Sequence, residues 1–169
     1  MRFLEKLGSN SIFLFELYFI YAFMVYKNNF AFIMALAIIG NIILNMLFKG
    51  VFIQIGKQFN HTLPLFGSLC RPIDTECKGI DIFGYGTPSG HSQIVAFIAA
   101  FYYFYYNKSK EDYSNGKEYS KSKFAILIAM ALFTMTTRYT SSMHSIPQIL
   151  LGGSIGVGIA YLLEFFLTY

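Results

Sequence analysis

The sequence predicts an all-α fold, a multi-pass transmembrane helix bundle of about five spans, and three observations support this. Hydrophobic residues make up 55% of the 169 positions and charged residues only 13%, about half the charged share of an ordinary soluble domain. The apolar residues are gathered into five long blocks separated by polar segments. The strict alternation that marks a membrane β-barrel is missing from these blocks, so their backbone groups must satisfy one another within helices.

Residues 1–169 are expected to form a single integral-membrane domain. Its expected spans lie near residues 11–27, 30–49, 89–106, 123–140 and 146–168. A spanning helix needs about 20 apolar residues, which the second and fifth blocks supply outright, whereas the third and fourth need flanking polar residues at the interfaces. A soluble protein with buried helices is the alternative, but five such blocks would leave almost no polar face toward water.

The charges of the chain indicate its partners and its orientation. Its 13 Lys and Arg against nine Asp and Glu are too few and too scattered to predict nucleic acid as a partner. If all five blocks span, both ends of segment 49–88 and the junction of the last two blocks share one membrane face, and segment 107–123 lies on the other. Segment 107–123 and Lys27 together carry six basic residues, and the opposite face carries seven. Three of those seven, Lys49, Arg71 and Arg138, are candidates for a site, and discounting them leaves four against six. The positive-inside rule therefore favours a cytosolic segment 107–123 and a lumenal or extracytoplasmic opposite face.

The residues that carry chemistry concentrate on that opposite face. The stretch YGTPSGHSQ, Tyr85–Gln93, opens the third block, and Pro, Ser and Gly before an apolar run predict a helix start. The free N–H groups of such an end suit an anion, especially phosphate. Ser89 adds a hydroxyl, Gly90 adds a backbone N–H, and His91 adds a group that titrates near neutral pH. Taken alone, the stretch also fits a capped helix start with a surface histidine.

A second cluster ends the fourth block, where Arg138 is followed by His144 and Gln148. Arginine grips two phosphate oxygens with its planar fork, and a neutral histidine attacks phosphorus or accepts a proton. Gln148 lies one helical turn beyond His144, where its amide oxygen would hold the imidazole in the attacking tautomer. Arg71 in the long connection is a third piece. Each arginine alone fits an interfacial residue that snorkels to headgroups, but two arginines and two histidines on one face favour a phosphate site.

These pieces resemble the three signature motifs of the type-2 phosphatidic acid phosphatase superfamily, membrane enzymes that release phosphate from lipid phosphates and diphosphates. The motifs are, in chain order, RP at 71–72, PSGH at 88–91 and R-x5-H at 138–144. Their order and their placement between spans match the family. The YG-x-PS-x-HSQ stretch and Gln148, where most relatives have Asp, are similar to the dolichyl diphosphatase branch.

The resemblance implies a metal-independent hydrolase without a cofactor, in the endoplasmic reticulum or another membrane with a lumenal or extracytoplasmic site. Its partners would be the bilayer and a lipid substrate, foremost a polyprenyl (dolichyl-like) diphosphate that is cleaved to monophosphate plus phosphate. Phosphatidic acid or another lipid monophosphate is the alternative substrate, and a catalytically degenerate scaffold or lipid-binding protein is the alternative of another class. The implied roles are His144 as the nucleophile that forms a phospho-histidine, His91 as acid and then base, and Arg71, Arg138, Ser89 and Gly90 as phosphate ligands.

The chain departs from the family pattern in two places. The first family motif carries a lysine before its arginine, at a position that is Pro64 here. Lys49, which ends the second block, is the phosphate-binding candidate by context, and Lys57 is a weaker one. The last residue of the third motif is Gln148 rather than Asp, and a neutral amide stabilises a developing imidazolium less than a carboxylate does.

Several residues within the spans carry structural predictions. Asn41 and Asn45 lie one turn apart in the second block and are expected to form interhelical hydrogen bonds. In the last block, four small residues form interleaved pairs that permit close helix packing: Gly152 with Gly156, and Ser154 with Gly158.

The two cysteines, Cys70 and Cys77, belong to the face that carries the motifs. In an oxidising lumen they would form a disulfide, and two free thiols is the other interpretation, so the sequence leaves both open. Two cysteines alone cannot make a structural zinc site.

Overall fold

The computed structural model describes residues 18, 21, 29–65, 67–73, 85–108 and 120–168. The predicted first span near 11–27, apart from residues 18 and 21, lies outside these residues, as do Cys77 and most of segment 107–123. The described residues form helices and one short antiparallel hairpin. The elements in chain order are α1 (Asn29–Gln58), β1 (Thr62–Leu63), β2 (Gly67–Ser68), α2 (Gly90–Lys108), α3 (Lys121–Thr140) and α4 (Ile146–Thr168). In the hairpin, Thr62 pairs with Ser68 and Leu63 with Gly67.

Helix α1 is longer than the predicted second span. The prediction ended near Lys49, but the helix continues to Gln58, because residues 51–55 are apolar except for Gln54 and a glycine inside a helix costs only about 1 kcal/mol. The helix stops where Asn60 and His61 adopt positive φ angles of 51° and 57°, the left-handed conformation that commonly ends helices. Lys49 therefore lies inside α1 and not at its end.

Among the residues that the structure describes, two helical stretches are long and apolar enough to cross a membrane, Phe30–Gln58 and Ile146–Leu167. Both present large apolar side chains outward, such as Leu47 and Leu150, which are 62% and 63% exposed. Extended apolar surfaces of this kind are rare on soluble monomers and normal on a protein that faces lipid. The prediction of a helical membrane protein is supported, and the count of about five spans stays a prediction.

Helix α2 lies at the centre of the bundle and packs most closely against α4. Two glycines of α4 make this close approach possible, because a Cβ at Gly152 would overlap the carbonyl oxygen of Ser89 and one at Gly156 would overlap that of Gln93. The prediction that Ser154 and Gly158 permit close helix packing is wrong. A Cβ at Gly158 would meet nothing within 4 Å. Gly158 lies two positions after Gly156 and therefore points to a different side of the helix.

A buried chain of amides joins α1 to α2. Asn45 Nδ2 donates to Gln93 Oε1 at 2.8 Å, and Gln93 Nε2 donates to the Asn41 carbonyl oxygen at 3.3 Å and to Asn41 Oδ1. The predicted interhelical hydrogen bonds of both asparagines are thus confirmed. Since Asn45 lies one turn before Lys49, both side chains lie on the same side of α1.

Candidate active site

Three segments that are distant along the chain meet where α2 begins, α3 ends and α4 begins. We call them the first segment (residues 68–73), the second segment (85–91) and the third segment (138–148). Thr87 Oγ1 of the second segment donates to the Leu69 carbonyl oxygen of the first at 2.9 Å. The backbone N–H of Ile73 in the first donates to the Ser142 carbonyl oxygen of the third at 3.0 Å. The fold therefore brings the residues of all three sequence motifs into one region.

His144 lies buried in this region, with 2% of its surface exposed. Its Nδ1 lies 3.0 Å from the carbonyl oxygen of Gly86. A carbonyl oxygen only accepts hydrogen bonds, so this contact requires the proton on Nδ1. The lone pair of the imidazole is then on Nε2, the nitrogen that remains available to attack or to accept a proton.

The surroundings of His144 keep its imidazole neutral. Burial and, to a lesser extent, the positive charges of Arg138, Lys49 and Arg71 together lower the pKa of His144 to about 3, although the hydrogen bond to Gly86 opposes the shift. At neutral pH the side chain is therefore uncharged, which is the state a nucleophilic histidine needs. Arg138, Lys49 and Arg71 all lie close enough to the imidazole of His144 for their charges to act on it.

Acidification is expected to destabilise the folded protein through His144. Its pKa is about 3 in the folded protein against the ordinary value of 6.5. Between those values the unfolded chain binds a proton that the folded protein does not, so the free energy of unfolding falls as the pH falls, by up to about 1.4 kcal/mol per pH unit. Thermal unfolding in detergent at pH 7, 6 and 5 measures this slope. The His144→Gln variant should lose part of the slope, and an unchanged slope would contradict the expectation.

Arg138 occupies the last turn of α3 and is 7% exposed. Its Nε atom is buried and has no hydrogen-bond partner among the residues that the structure describes. A buried N–H of a charged group without an acceptor is costly, and neighbouring like charges add repulsion. An anion placed among Arg138, Arg71 and Lys49 would offset both costs.

Lys49 reaches this region from α1. It is 8% exposed, and its charge acts on His144, whereas Lys57 is exposed. The residues between Lys49 and Arg71 form the remaining turns of α1 and the β1–β2 hairpin, which lead the chain away from the site and back to it. The long spacing between the lysine and the arginine in the sequence is accommodated in this way.

Ser89, Gly90 and His91 lie at the start of α2, as the motif predicts. Ser89 is fully buried, and its Oγ lies 2.9 Å from the hydroxyl of Ser92 and accepts from the Ser92 backbone N–H at 3.4 Å. A Cβ at Gly90 would lie 2.8 Å from Asn45 Oδ1, so the helix start sits tightly on α1. His91 lies in the first turn and is half-buried, at a more open position than His144.

Gln148 does not hold the imidazole of His144, which corrects the prediction. Its Nε2 donates to the carbonyl oxygens of Cys70, at 2.8 Å, and Ser68, at 3.0 Å, and the Gly86 carbonyl takes the orienting role. A main-chain carbonyl has no signal of its own in the sequence, so the motif pattern could not identify it. Cys70, beside Arg71, is disulfide-bonded, and the sequence holds one other cysteine, Cys77.

Comparison with known proteins agrees with this arrangement. Residues 29–167 match the family profile of the PAP2 superfamily. The chain is 31% identical over 131 residues to the palmitoyl-protein thioesterase-dolichyl pyrophosphate phosphatase fusion 1 of Schizosaccharomyces pombe, a match that covers 72% of this chain and 20% of that protein. The chain thus spans about a fifth of the length of this relative. No solved structure matches. The match covers all three segments and the helices that position them, and the chain therefore belongs to the PAP2 superfamily, as its motifs predict.

Proposed function

We propose that this protein is an integral-membrane lipid phosphatase that hydrolyses a polyprenyl (dolichyl-like) diphosphate to monophosphate plus phosphate without a metal. Membership of the PAP2 superfamily and the dolichyl pyrophosphate phosphatase named in its relative support a phosphatase. The observation that carries the proposal is a buried, neutral His144, held at Nδ1 by Gly86 and surrounded by the charges of Arg138, Lys49 and Arg71.

In the first step, Nε2 of His144 attacks the terminal phosphorus of the substrate. A nitrogen–phosphorus bond forms, the bond from phosphorus to the bridging oxygen breaks, and the lipid monophosphate leaves with the electron pair. The negative charge on the phosphoryl oxygens is stabilised by Arg71, Arg138 and Lys49, whose electrostatic effect is strong because the site is buried. The attacked phosphoryl group stays on His144 as a phospho-histidine.

In the second step, water releases the phosphate. His91 protonates the departing oxygen in the first step and then accepts a proton from the water molecule that attacks phosphorus. The nitrogen–phosphorus bond breaks, its electrons return to Nε2 of His144, and inorganic phosphate leaves. A half-buried position at the start of α2 suits a group that exchanges protons with water.

The start of α2 supplies further binding groups. The N–H of Gly90 and the hydroxyl of Ser89 lie at the positive end of the helix, which favours phosphate. Ser89 is buried and hydrogen-bonded to Ser92, so its hydroxyl is held in place before any substrate arrives. We assign Ser89 to the fixed frame of the phosphate site.

A diphosphate suits this site better than a monophosphate does. The partner of His144 is the neutral carbonyl of Gly86, which stabilises a developing imidazolium less than a carboxylate would. A weaker orienting group favours a substrate with a better leaving group, and a phosphate monoester leaves more readily than an alkoxide. Phosphatidic acid or another lipid monophosphate is the second candidate substrate.

The membrane orientation follows from charge and from sulfur chemistry. We propose about five spans, with segment 107–123 in the cytosol and the site in the lumen of the endoplasmic reticulum or on another extracytoplasmic face. Disulfides persist in oxidising compartments, and Cys70, which precedes Arg71 of the site, is disulfide-bonded. This bond supports the same orientation.

A substrate panel tests the proposed function. Purified protein in detergent with EDTA is given a short polyprenyl diphosphate or phosphatidic acid, and phosphate release is measured. We expect kcat/KM to be at least about tenfold higher for the diphosphate, with no effect of EDTA. Dependence on added metal would contradict the mechanism, preference for phosphatidic acid would contradict the substrate, and no release from either would favour the degenerate scaffold.

Replacing Lys49 by methionine is expected to raise KM about tenfold, because a buried charge that binds phosphate is lost. Lys57→Met is the matched control, since Lys57 lies in the same helix but is exposed, and it should change KM by less than about twofold. Steady-state kinetics with the diphosphate measure both. If the two variants behaved alike, Lys49 would have no role in phosphate binding.

A further inference from the structure

Gln148 contacts all three segments of the site. Its side-chain Nε2 donates to the carbonyl oxygens of Cys70 and Ser68 in the first segment, and its Oε1 accepts from the backbone N–H of Ser145 in the third at 3.1 Å. Its own carbonyl oxygen accepts from the backbone N–H of Ser89 in the second at 3.2 Å. The residue is fully buried, so these bonds form away from water, where an unmade bond is costly.

The contacts of Gln148 require an amide. One end of its side chain donates two hydrogen bonds to carbonyl oxygens, and the other end accepts one from an N–H. An ionised carboxylate of the same shape accepts only, so it would set negative oxygens against the carbonyls of Ser68 and Cys70. A role in holding the imidazole of His144 would instead be performed by a carboxylate at least as well.

The junction beside Gln148 has no spare room. A Cβ at Gly86 would lie 2.8 Å from Gln148 Nε2, from the backbone nitrogen of Arg71 and from the carbonyl carbon of Cys70. The glycine whose carbonyl orients His144 therefore packs directly against the main chain that leads into Arg71. A shift of the first segment would move Arg71 relative to His144.

We propose that Gln148 is a positioning residue that clamps the main chain before Arg71 and so sets the place of the Arg71 guanidinium in the phosphate site. The clamp and the orientation of the imidazole are separate tasks here, because the Gly86 carbonyl performs the second. The proposal rests on the proposed function and deepens it, since it assigns position 148 to phosphate binding through Arg71.

A double-mutant cycle with inorganic phosphate as the probe tests the clamp. Gln148→Glu in the full-length purified protein is expected to weaken phosphate affinity, measured by calorimetry, about tenfold or more. In the Arg71→Ala background the same change should matter less than about twofold, because residues that act through one another are not additive. Gln54→Glu, the same chemical change at an exposed site of α1, should leave the affinity unchanged.

Two results would overturn the clamp. Unchanged or tighter phosphate binding, with equal or faster phosphate release, in Gln148→Glu would show that a carboxylate serves His144 at this position. Equal losses with and without Arg71 would place the effect of Gln148 elsewhere.

Two further measurements distinguish a failure of the clamp from a variant that does not fold and from a failure of the proposed function. If Gln148→Glu does not fold, Gln148→Met, which adds no charge, carries the same cycle, and unfolding midpoints identify which variants are folded. A wild-type protein that released no phosphate from any lipid would contradict the proposed function, whereas the phosphate affinities test the clamp in either case.

Discussion

Replacing His144 by alanine is expected to reduce kcat for phosphate release by at least about 10³-fold, because the nucleophile of a covalent mechanism is lost. The Nδ1 atom of the buried imidazole is fixed by Gly86, and its Nε2 is directed at the substrate in our mechanism. A water molecule in the space left by the imidazole would not be held in the same position for attack. Release of phosphate from the diphosphate substrate, with the unfolding midpoint of the variant, measures the effect.

His61→Ala is the matched control for His144→Ala. His61 is the one histidine outside the three segments and lies three residues after the end of α1, where its Nδ1 is 3.4 Å from the hydroxyl of Tyr85. Its removal should change kcat by less than about threefold, as expected for a weak contact away from the reacting atoms. A folded His144→Ala variant that kept near-normal turnover would remove His144 from the mechanism.

The second large effect concerns the packing of α2 against α4. Gly156→Ala is expected to destabilise the fold by about 2–3 kcal/mol, because the new Cβ would overlap the carbonyl oxygen of Gln93 and lie within 3.0 Å of the backbone nitrogen of Phe97. These are backbone atoms of a helix and cannot rotate away as a side chain does. The thermal unfolding midpoint in detergent should fall, and activity should fall with it because α2 carries Ser89 and His91.

Gly158→Ala is the control for that prediction. The added Cβ meets nothing within 4 Å, and alanine favours a helix over glycine by up to about 1 kcal/mol. The midpoint should therefore stay the same or rise slightly. If Gly156→Ala were as stable as Gly158→Ala, the close contact of the two helices would not exist as described.

The sequence predicted the parts of the site that reside in side chains. The PSGH motif predicted a helix start, and α2 begins at Gly90. The two asparagines of α1 were predicted to bond across helices, and they bond to Gln93. Such predictions succeed because a helix start and a buried amide each need particular side chains, and those side chains are visible in the sequence.

Other features depend on tertiary contacts and could not be predicted. The partner of His144 Nδ1 is the carbonyl of Gly86, a group that every residue possesses. The rotation of α4 decides which of its small residues meet α2. The pair Gly152 and Gly156 packs against α2 and the pair Ser154 and Gly158 does not, although both pairs have the same spacing of four residues. The extension of α1 beyond Lys49 is likewise supported by a tertiary contact, since the Tyr85 hydroxyl donates a hydrogen bond to the Phe52 carbonyl oxygen at 3.2 Å.

The central claim is that buried, neutral His144, within a ring of cations, carries the phosphoryl group during turnover. Brief incubation with a diphosphate labelled with ³²P at its terminal phosphate, followed by an alkaline quench and peptide mapping, tests this directly, since the nitrogen–phosphorus bond of phospho-histidine survives base. We predict label on the peptide that contains His144 and none in His144→Ala. Full turnover without label, or label on a different residue, would contradict the mechanism.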